Sequence, residues 1–400
     1  MKILLLENIS LTAKKSLENV GYDVTIFKEN IEDDKILSQI KNTDILGIRS
    51  RSQITKEIIL QAPQLKAIGC FCIGTNQVDL DFAKIKGIPV FNAPFSNTRS
   101  VAEMVLGEII ILSRNIHIRN LELHRGVWSK VASGSFEIRG KVLGIVGYGR
   151  IGSQLGIIAE SLGMQVIYYD IERKLSLGNA TECDNLEKLL SKSDFVSLHV
   201  PETPQTKNLI SKRELLQMKK GAKLINASRG NVVAIDDLVE ALKSEHISSV
   251  AIDVFPQEPK DNNDPFKSEL IKFDNALLTP HIGGSTIEAQ ENIAIEVCDK
   301  FINFIKNGST VGAVNFPQTS LQKSKDSASR ILHVHKNTPG MLEKINNVFA
   351  KNNLNISSQI LQTEGDIGYA IIDSSSIINK EIELSLEKIE NTINTRVIKN

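Results

Sequence analysis

Three polar residues in the second half of the chain have the types and the placement that hydride transfer from a secondary alcohol requires. Arg229, Glu258 and His281 lie in the segments NASRG, DVFPQEP and TPHIGG, each of which follows a short apolar run. A histidine can take a hydroxyl proton near neutral pH, and a neighbouring carboxylate can raise its proton affinity. The planar guanidinium of an arginine matches an α-carboxylate or an α-keto acid. We therefore predict His281 as the base, Glu258 as its partner and Arg229 as the substrate-binding cation.

Each of these residues also has an ordinary structural explanation, as a satisfied histidine, a loop glutamate or a surface arginine. Their shared placement on the carboxyl side of one predicted sheet favours the catalytic interpretation. His199 and Asp253 are similarly placed at strand ends. We predict that His199 lines the coenzyme pocket without transferring protons, and that Asp253 contacts the nicotinamide carboxamide.

The coenzyme prediction depends on a strand, the glycine turn GYGRIG, a helix and a second strand, which follow one another before Asp170. This is the order of a dinucleotide-binding crossover. Gly147 permits the tight turn, Gly149 lets the backbone approach a pyrophosphate at the helix N-terminus, and Gly152 lets the helix pack on the strand. Asp170 would bond to ribose hydroxyls and repel a 2′-phosphate, and no arginine follows it directly, so NAD is favoured over NADP. The alternative is a glycine-rich structural turn.

The composition excludes several classes of protein. The chain has 400 residues, a formal net charge of +0, 41% hydrophobic and 24% charged residues, which indicates a globular protein of two or three domains. A nucleic-acid or membrane partner is not expected, because the charge is balanced and no apolar run could cross a bilayer. Four cysteines predict reduced thiols in a cytoplasm. Cys70 and Cys72 could pair on a metal, but two small buried residues fit better, and we predict no metal site.

Apolar runs alternate with amphipathic segments along most of the chain, which predicts parallel sheets with helices on both faces. We expect an α/β protein with two doubly wound parallel-sheet domains, a discontinuous substrate domain and a Rossmann coenzyme domain of about six or more strands. A polar linker rich in Ser and Lys leads to a tail in the order βαββαβ, a small sheet with helices on one side. The predicted boundaries are 1–97 with 286–316 for the substrate domain, 98–285 for the coenzyme domain, 317–329 for the linker and 330–400 for the tail.

Two loops of the first domain have features of an anion site. Arg49, Ser50 and Arg51 follow a predicted strand, and the two arginines could hold a phosphate by charge-assisted hydrogen bonds. A solvated basic loop is the alternative. Gly74, in the loop after the next strand, would let backbone N–H groups face a carboxylate. The single tryptophan, Trp128, is either a subunit-interface anchor or a local core residue.

The motifs together resemble the D-isomer-specific 2-hydroxyacid dehydrogenases, and the likeness covers nearly the entire chain. It is carried by the glycine turn with its acid and by the segments NASRG, DVFPQEP and PHIGGST. It implies Arg229, Glu258 and His281 as the catalytic set. The residues that it implies as coenzyme contacts are Arg150, Ile151, Asp170, Ala227, Ser228, Arg229, Asp253, His281, Ile282, Gly283 and Gly284.

Further segments, RSR, CIGTNQVDL and FNAPFSNTRS, resemble the members of this family that act on 3-phospho-D-glycerate. The resemblance implies NAD-dependent oxidation to 3-phosphohydroxypyruvate, the entry to serine synthesis. The substrate would then be held by Arg49, Ser50, Arg51, Gly74 and Arg229. Related enzymes of this form can also reduce 2-oxoglutarate to 2-hydroxyglutarate.

The tail is similar to an ACT domain, a small regulatory module that often binds amino acids at paired interfaces. The resemblance implies that L-serine, a feedback inhibitor, binds at His335, Asn337 and Asn355. An amide side chain can bond to both the ammonium and the carboxylate of a free amino acid. A simple dimerisation module is the alternative. Two self-pairing elements, the coenzyme domain and the tail, predict a homotetramer built as a dimer of dimers.

Two other functions stay open on the sequence. One is a reductase of another 2-keto acid, such as glyoxylate or hydroxypyruvate, because the catalytic motifs fix the chemistry and not the substrate. The other is a non-enzymatic NAD(H)-sensing binding protein on the same scaffold.

Overall fold

The protein divides into two compact units in a computed structural model, which describes residues 1–32, 34–259, 263–324 and 327–399. Unit 1 is formed by Met1–Ser96 together with Gln290–Asn400, and unit 2 by Asn97–Ala289. The domain boundaries predicted from the sequence stay predictions. Outside the described residues lie residue 33, where the sequence predicts a helix over 33–40 to begin, residues 260–262, residues 325 and 326 of the predicted linker, and residue 400. No helix in the described ranges is long and apolar enough to cross a membrane.

Unit 1 begins with a five-stranded parallel sheet flanked by helices. In chain order its elements are β1 (Lys2–Leu5), α1 (Leu11–Glu18), β2 (Asp23–Ile26), α2 (Asp34–Ile40), β3 (Ile45–Ile48), α3 (Lys56–Leu60), β4 (Ala67–Cys70), α4 (Leu80–Ile85) and β5 (Val90–Asn92). The strand order is β2-β1-β3-β4-β5, and the inner strands are buried apolar runs, as expected where helices cover both faces. The order reverses between β1 and β3, and open α/β sheets bind ligands at such a reversal.

Unit 2 is built on a seven-stranded parallel sheet. Its elements are α5 (Thr98–Ser113), α6 (Ile116–His124), β6 (Val142–Val146), α7 (Arg150–Ser161), β7 (Gln165–Tyr169), β8 (Thr181–Glu182), α8 (Leu186–Lys192), β9 (Phe195–Leu198), α9 (Lys212–Gln217), β10 (Ala222–Asn226), α10 (Ile235–Lys243), β11 (Ile247–Ile252) and β12 (Ala276–Leu278). The strand order β12-β11-β10-β9-β6-β7-β8 reverses between β6 and β9, which is the topology of a dinucleotide-binding sheet.

The chain returns to unit 1 along the long helix α11 and ends in a small antiparallel sheet. These elements are α11 (Ile287–Asn307), β13 (Ser329–Lys336), α12 (Met341–Lys351), β14 (Ile356–Glu364), β15 (Ile367–Ser374), α13 (Lys380–Glu387) and β16 (Thr392–Lys399). The sheet order is β14-β15-β13-β16. One face packs on α12 and α13 through Ile345 and Leu386, and the other shares a core with Phe301 of α11.

The predicted fold class is confirmed, with two doubly wound parallel sheets and a βαββαβ tail. Three details differ. The sequence does not predict α6, because none of its nine described residues is buried and no apolar stripe marks it. It also does not predict β8, which has only two residues, both exposed. The last strand, β16, has eight residues, whereas the sequence pattern predicts a strand only over residues 395–398.

Candidate active site

The glycine turn of unit 2 lies where the order of its sheet reverses. Gly147 has a φ of 92°, and a Cβ there would lie 2.4 Å from the carbonyl oxygen of His199. A Cβ on Gly152 would lie 2.3 Å from the carbonyl oxygen of Gly147, whereas a Cβ on Gly149 would meet nothing within 4 Å. The first and third glycines are therefore required by packing. The second leaves open space beside the N-terminus of α7, where a phosphate group would bind.

Asp170 follows β7 beside this turn. Its Oδ2 accepts the N–H of Tyr148 at 2.8 Å, and its Oδ1 accepts the N–H of Glu172 at 3.0 Å. Each oxygen keeps a lone pair that a ribose hydroxyl could use. The acid, the open space at Gly149 and the N-terminus of α7 therefore fit the adenosine and pyrophosphate parts of a dinucleotide.

His199 lies against the glycine turn. Its Nε2 lies 2.9 Å from Ser197 Oγ, and its buried Nδ1 has no hydrogen-bond partner among the described residues. Burial lowers the pKa of His199 to about 4, so the imidazole is neutral near pH 7. A neutral ring suits the predicted role in lining the pocket, which stays a prediction.

The structure places His281 and Glu258 in direct contact. His281 Nδ1 lies 2.8 Å from Glu258 Oε2, and Glu258 Oε1 accepts the N–H of Phe255 at 3.1 Å. The hydrogen bond to Glu258 raises the pKa of His281, although burial opposes it. Burial alone would raise the pKa of Glu258, but the bond from His281 and the charges of His281 and Arg229 outweigh it and lower that pKa. The pair is thus set to hold a proton on the imidazole and a negative charge on the carboxylate.

Arg229 follows β10 in a turn that its neighbours build. Asn226 Oδ1 accepts the Ser228 N–H at 3.1 Å and the Ser228 hydroxyl at 2.8 Å, and Asn226 Nδ2 donates to the Arg229 carbonyl at 3.0 Å. A Cβ on Gly230 would lie 2.0 Å from the carbonyl carbon of Phe255. The turn therefore lies directly against the segment that leads to Glu258, and the Arg229 guanidinium is close enough to affect the pKa of both Glu258 and His281.

Asp253 follows β11 and holds the loop that carries His281. Its Oδ1 accepts the Thr279 hydroxyl at 2.6 Å and the Ile282 N–H at 2.8 Å, and its Oδ2 accepts the Gly283 N–H at 2.9 Å. His281 has a φ of 54°, a left-handed conformation that non-glycine residues seldom adopt. These bonds keep the strained loop in place, and such strain is typical of functional sites. The predicted contact of Asp253 with the nicotinamide stays a prediction, with one lone pair of Oδ2 left for it.

The other predicted coenzyme residues lie at the same carboxyl edge of the unit 2 sheet. Arg150 is exposed and Ile151 half-buried at the start of α7, and Ala227 is half-buried after β10. Ile282 is 42% exposed. A Cβ on Gly284 would lie 2.4 Å from Asn97 Nδ2, so a larger residue there would require the Asn97 side chain to move.

Glu108 is a residue near this site that the sequence analysis missed. It lies in α5, is 3% exposed, and both carboxyl oxygens lack a hydrogen-bond partner in the described part of the chain. The negative charge of Asp253 acts on its pKa, which shows that the two carboxyl groups are neighbours. The available signal was a single acid within the otherwise apolar segment VLGEIIIL.

The predicted substrate residues belong to unit 1. Arg49, Ser50 and Arg51 follow β3, and Gly74 lies in the loop after β4. Gln77 Nε2 donates to the Arg49 carbonyl at 2.6 Å and to the Gly74 carbonyl at 3.2 Å. One buried side chain, which the sequence does not single out, therefore ties the two predicted loops together.

The three predicted serine residues do not meet within one chain. His335 is buried in β13, with its Nδ1 3.2 Å from His333 Nδ1, and Asn337 is exposed just beyond that strand. Asn355 precedes β14. Because β13 ends beside the start of β15 and β14 begins beside its end, Asn355 lies at the opposite end of the sheet from the other two.

The described part of the chain contains no candidate metal centre. Among the described residues, no group of three or more His, Cys, Asp or Glu side chains could hold a metal ion. The four cysteines are free thiols, and Cys70 is buried.

Two family models match the chain. The D-isomer specific 2-hydroxyacid dehydrogenase, NAD binding domain matches residues 106–283. The AHAS small subunit-like ACT domain matches residues 331–395. The first match contains the glycine turn and the three clustered polar residues, and the second contains most of the tail.

Relatives with assigned names are similar over the full chain. The D-3-phosphoglycerate dehydrogenase of Haemophilus influenzae is 54% identical over 399 residues, which are 100% of this chain and 97% of the relative. The D-3-phosphoglycerate dehydrogenase of Escherichia coli strain K12 is 52% identical over 402 residues, with the same coverage. Among solved structures, the D-lactate dehydrogenase of Aquifex aeolicus, complexed with NAD and lactic acid, is 26% identical with a TM-score of 0.66. It covers 76% of this chain and 95% of its own.

Proposed function

We infer that this chain, which belongs to the family of D-3-phosphoglycerate dehydrogenases and is an NAD-dependent oxidoreductase, oxidises 3-phospho-D-glycerate to 3-phosphohydroxypyruvate. The observation that carries the proposal is the 2.8 Å contact between His281 Nδ1 and Glu258 Oε2 at the carboxyl edge of the coenzyme sheet. In this proposal the reaction is the entry to serine synthesis.

The imidazole of His281 acts as the base. Its Nδ1 keeps a proton and donates it in a hydrogen bond to Glu258, which leaves the Nε2 lone pair for the substrate hydroxyl. The hydroxyl proton moves to Nε2 while the hydride leaves the same carbon, and the C–O bond becomes the ketone. NAD, when bound, supplies the acceptor for that hydride. The imidazolium is stabilised by Glu258, whose lowered pKa keeps it ionised.

Arg229 binds the α-carboxylate of the substrate and polarises the reacting oxygen. Its planar guanidinium can form two parallel bonds to a carboxylate. The support for this role is its turn after β10, which Gly230 packs against the backbone of Phe255. On the coenzyme side, Gly149 and Asp170 are the residues whose surroundings fit NAD best.

The phosphate of the substrate is assigned to Arg49, Ser50 and Arg51, and Gly74 would face a carboxylate. The support is their place after β3 and β4, beside the reversal in the order of the first sheet. Reduction of 2-oxoglutarate to 2-hydroxyglutarate is a further proposed activity. Its distal carboxylate could take the place of the phosphate in the same basic loop.

We propose that L-serine inhibits the enzyme from the tail. Because Asn355 lies at the other end of the sheet from His335 and Asn337, a complete site requires two copies of the chain. The tail of one copy would supply Asn355, and the tail of the second copy would supply His335 and Asn337.

A homotetramer would use a second surface in unit 2. Trp128 is 79% exposed, which excludes a role as a core residue, and Leu123, Val131 and Phe136 nearby are also more than half exposed. Several exposed apolar residues in one short segment are a feature of interaction surfaces. We propose that this segment pairs two coenzyme domains and that the tails pair the resulting dimers.

The free thiols are consistent with a cytoplasmic location.

A steady-state assay with 3-phosphoglycerate and NAD, with and without serine, tests the function. We expect turnover that serine lowers, and no turnover above background for His281→Ala. Higher kcat/KM with glyoxylate than with phosphorylated substrates would indicate the reductase alternative. Background rates that are equal in the wild type and in His281→Ala would indicate an NAD(H)-sensing binding protein.

A further inference from the structure

We propose that Glu7 is a positioning residue that fixes the phosphate-directed loop 49–52 and thereby sets the preference for phosphorylated substrates. The inference rests on the proposed function. It adds a carboxylate that acts through the backbone of the loop and does not touch the substrate.

Glu7 and the loop lie where the order of the first sheet reverses. Glu7 comes two residues after β1, and the loop begins directly after β3. The Glu7 side chain is 2% exposed. Its Oε1 accepts the N–H of Arg49 at 3.2 Å and of Ser52 at 2.9 Å, and its Oε2 accepts the N–H of Arg51 at 2.9 Å. Converging backbone N–H groups form an anion site, and here the protein's own carboxylate fills it.

Because Glu7 uses these N–H groups, an anionic substrate must be recognised mainly by the loop's side chains, the Ser50 hydroxyl and the two arginines. The two arginines are not equivalent. Arg51 Nε lies 3.8 Å from Glu7 Oε2, and its Nη2 donates to the Lys28 carbonyl at 3.4 Å. The Arg49 guanidinium pairs with no carboxylate in the part of the chain that the structure describes. Arg49 therefore keeps its full charge for a dianionic phosphate, whereas Glu7 partly offsets the charge of Arg51.

The backbone of Arg49 is held from both sides. Glu7 accepts its N–H, and Gln77 Nε2 donates to its carbonyl at 2.6 Å. Gln77 also reaches the Gly74 carbonyl at 3.2 Å. A residue fixed at both backbone groups has a defined side-chain direction before the ligand arrives. Such preorganisation lowers the entropy cost of binding.

The test compares two substrates that differ only in the phosphate group, 3-phosphohydroxypyruvate and hydroxypyruvate, each reduced with NADH. Glu7→Gln puts an amide donor against backbone N–H donors, so the loop must shift. We expect the ratio of kcat/KM for the phosphorylated over the unphosphorylated substrate to fall about 10- to 100-fold, which is the effect of losing one hydrogen bond to a charged group. The loss should be in KM for the phosphorylated substrate. The KM for NADH should stay within about twofold, because unit 2 carries the coenzyme residues.

Asp44→Asn is the matched control, because Asp44 braces the other end of β3 by accepting the N–H of Lys2 at 2.8 Å. It should leave the substrate ratio unchanged. A wild-type ratio near one would overturn the proposed function and, with it, this inference. A clear wild-type preference that Glu7→Gln retains would overturn the inference alone. If Glu7→Gln does not fold, amide hydrogen exchange of the wild-type protein tests whether Glu7 fixes the loop. Slow exchange at Arg49, Arg51 and Ser52 supports the brace, and exchange at the rate of an open loop overturns it.

Discussion

Replacing Glu108 by glutamine should remove a pH-dependent cost in the stability of unit 2. Glu108 is 3% exposed, and neither carboxyl oxygen has a hydrogen-bond partner among the described residues. Burial, and to a lesser extent the negative charge of Asp253, raises the pKa of Glu108 from its ordinary value of 4.5 to about 8. Between these values the folded chain keeps the proton that the unfolded chain releases.

The expected magnitude follows from this difference in bound protons. Because the folded state holds one proton more, the free energy of unfolding falls as the pH rises, by about 1.4 kcal/mol per pH unit. From about pH 5 to about pH 7.5 the wild type should lose on the order of 3 kcal/mol through this group. Glutamine binds no proton in either state. The difference between Glu108→Gln and wild type should therefore grow by that amount over the interval, whatever constant cost the buried amide adds.

Calorimetric melts of both proteins at these two pH values, at one protein concentration, measure the effect. A change of 1 kcal/mol shifts the Tm of a domain of this size by roughly 2–4 °C, so the variant should gain roughly 6–12 °C relative to wild type between the two pH values. Glu103→Gln is the control, because its carboxylate lies on the same helix with 57% of the side chain exposed. A difference between variant and wild type that stays constant with pH would refute the reasoning, since Glu108 would then titrate alike in both states.

Three further predictions concern the catalytic pair, the coenzyme turn and the tail. Glu258→Gln should move the acid limb of the kcat/KM profile to lower pH, because the hydrogen bond that raises the pKa of His281 is lost. The same substitution should reduce kcat about 10²- to 10⁴-fold. An acid limb at the wild-type pH would contradict this prediction. Gly149→Val should weaken NADH binding in a fluorescence titration without lowering Tm, because its side chain would enter open space; unchanged affinity would show that the coenzyme does not use that space. Asp373→Ala should lower the free energy of unfolding of the tail by about 3–5 kcal/mol in denaturant melts, because the buried guanidinium of Arg330 would lose its carboxylate partner. A decrease below about 1 kcal/mol would show that this ion pair contributes little to stability.

The parts of the fold that the sequence predicts are those with a local signature. Buried strands appear as short apolar runs, and Gly147 and Gly152 mark close backbone contacts that no other residue permits. Helix α6 escapes prediction because none of its residues is buried, so no apolar stripe marks it in the sequence. The opposite placement of Asn337 and Asn355 also escapes, because it depends on the register of β13, β14 and β15, which is set by tertiary packing.

Carboxylates at strand ends show most clearly where sequence reasoning reaches its limit. Glu7, Asp253 and Glu258 each follow a strand, and each accepts at least one backbone N–H from a neighbouring loop. A sequence shows the acid but not the N–H groups, since every residue except proline has one. Only for Glu258 does the sequence also offer a partner, the histidine of the segment TPHIGG. The sequence therefore predicts only for this acid that it acts through another residue. Glu7 and Asp253 lack such a signal, although their hydrogen bonds show that a buried carboxylate can fix the backbone of a loop at the edge of a parallel sheet.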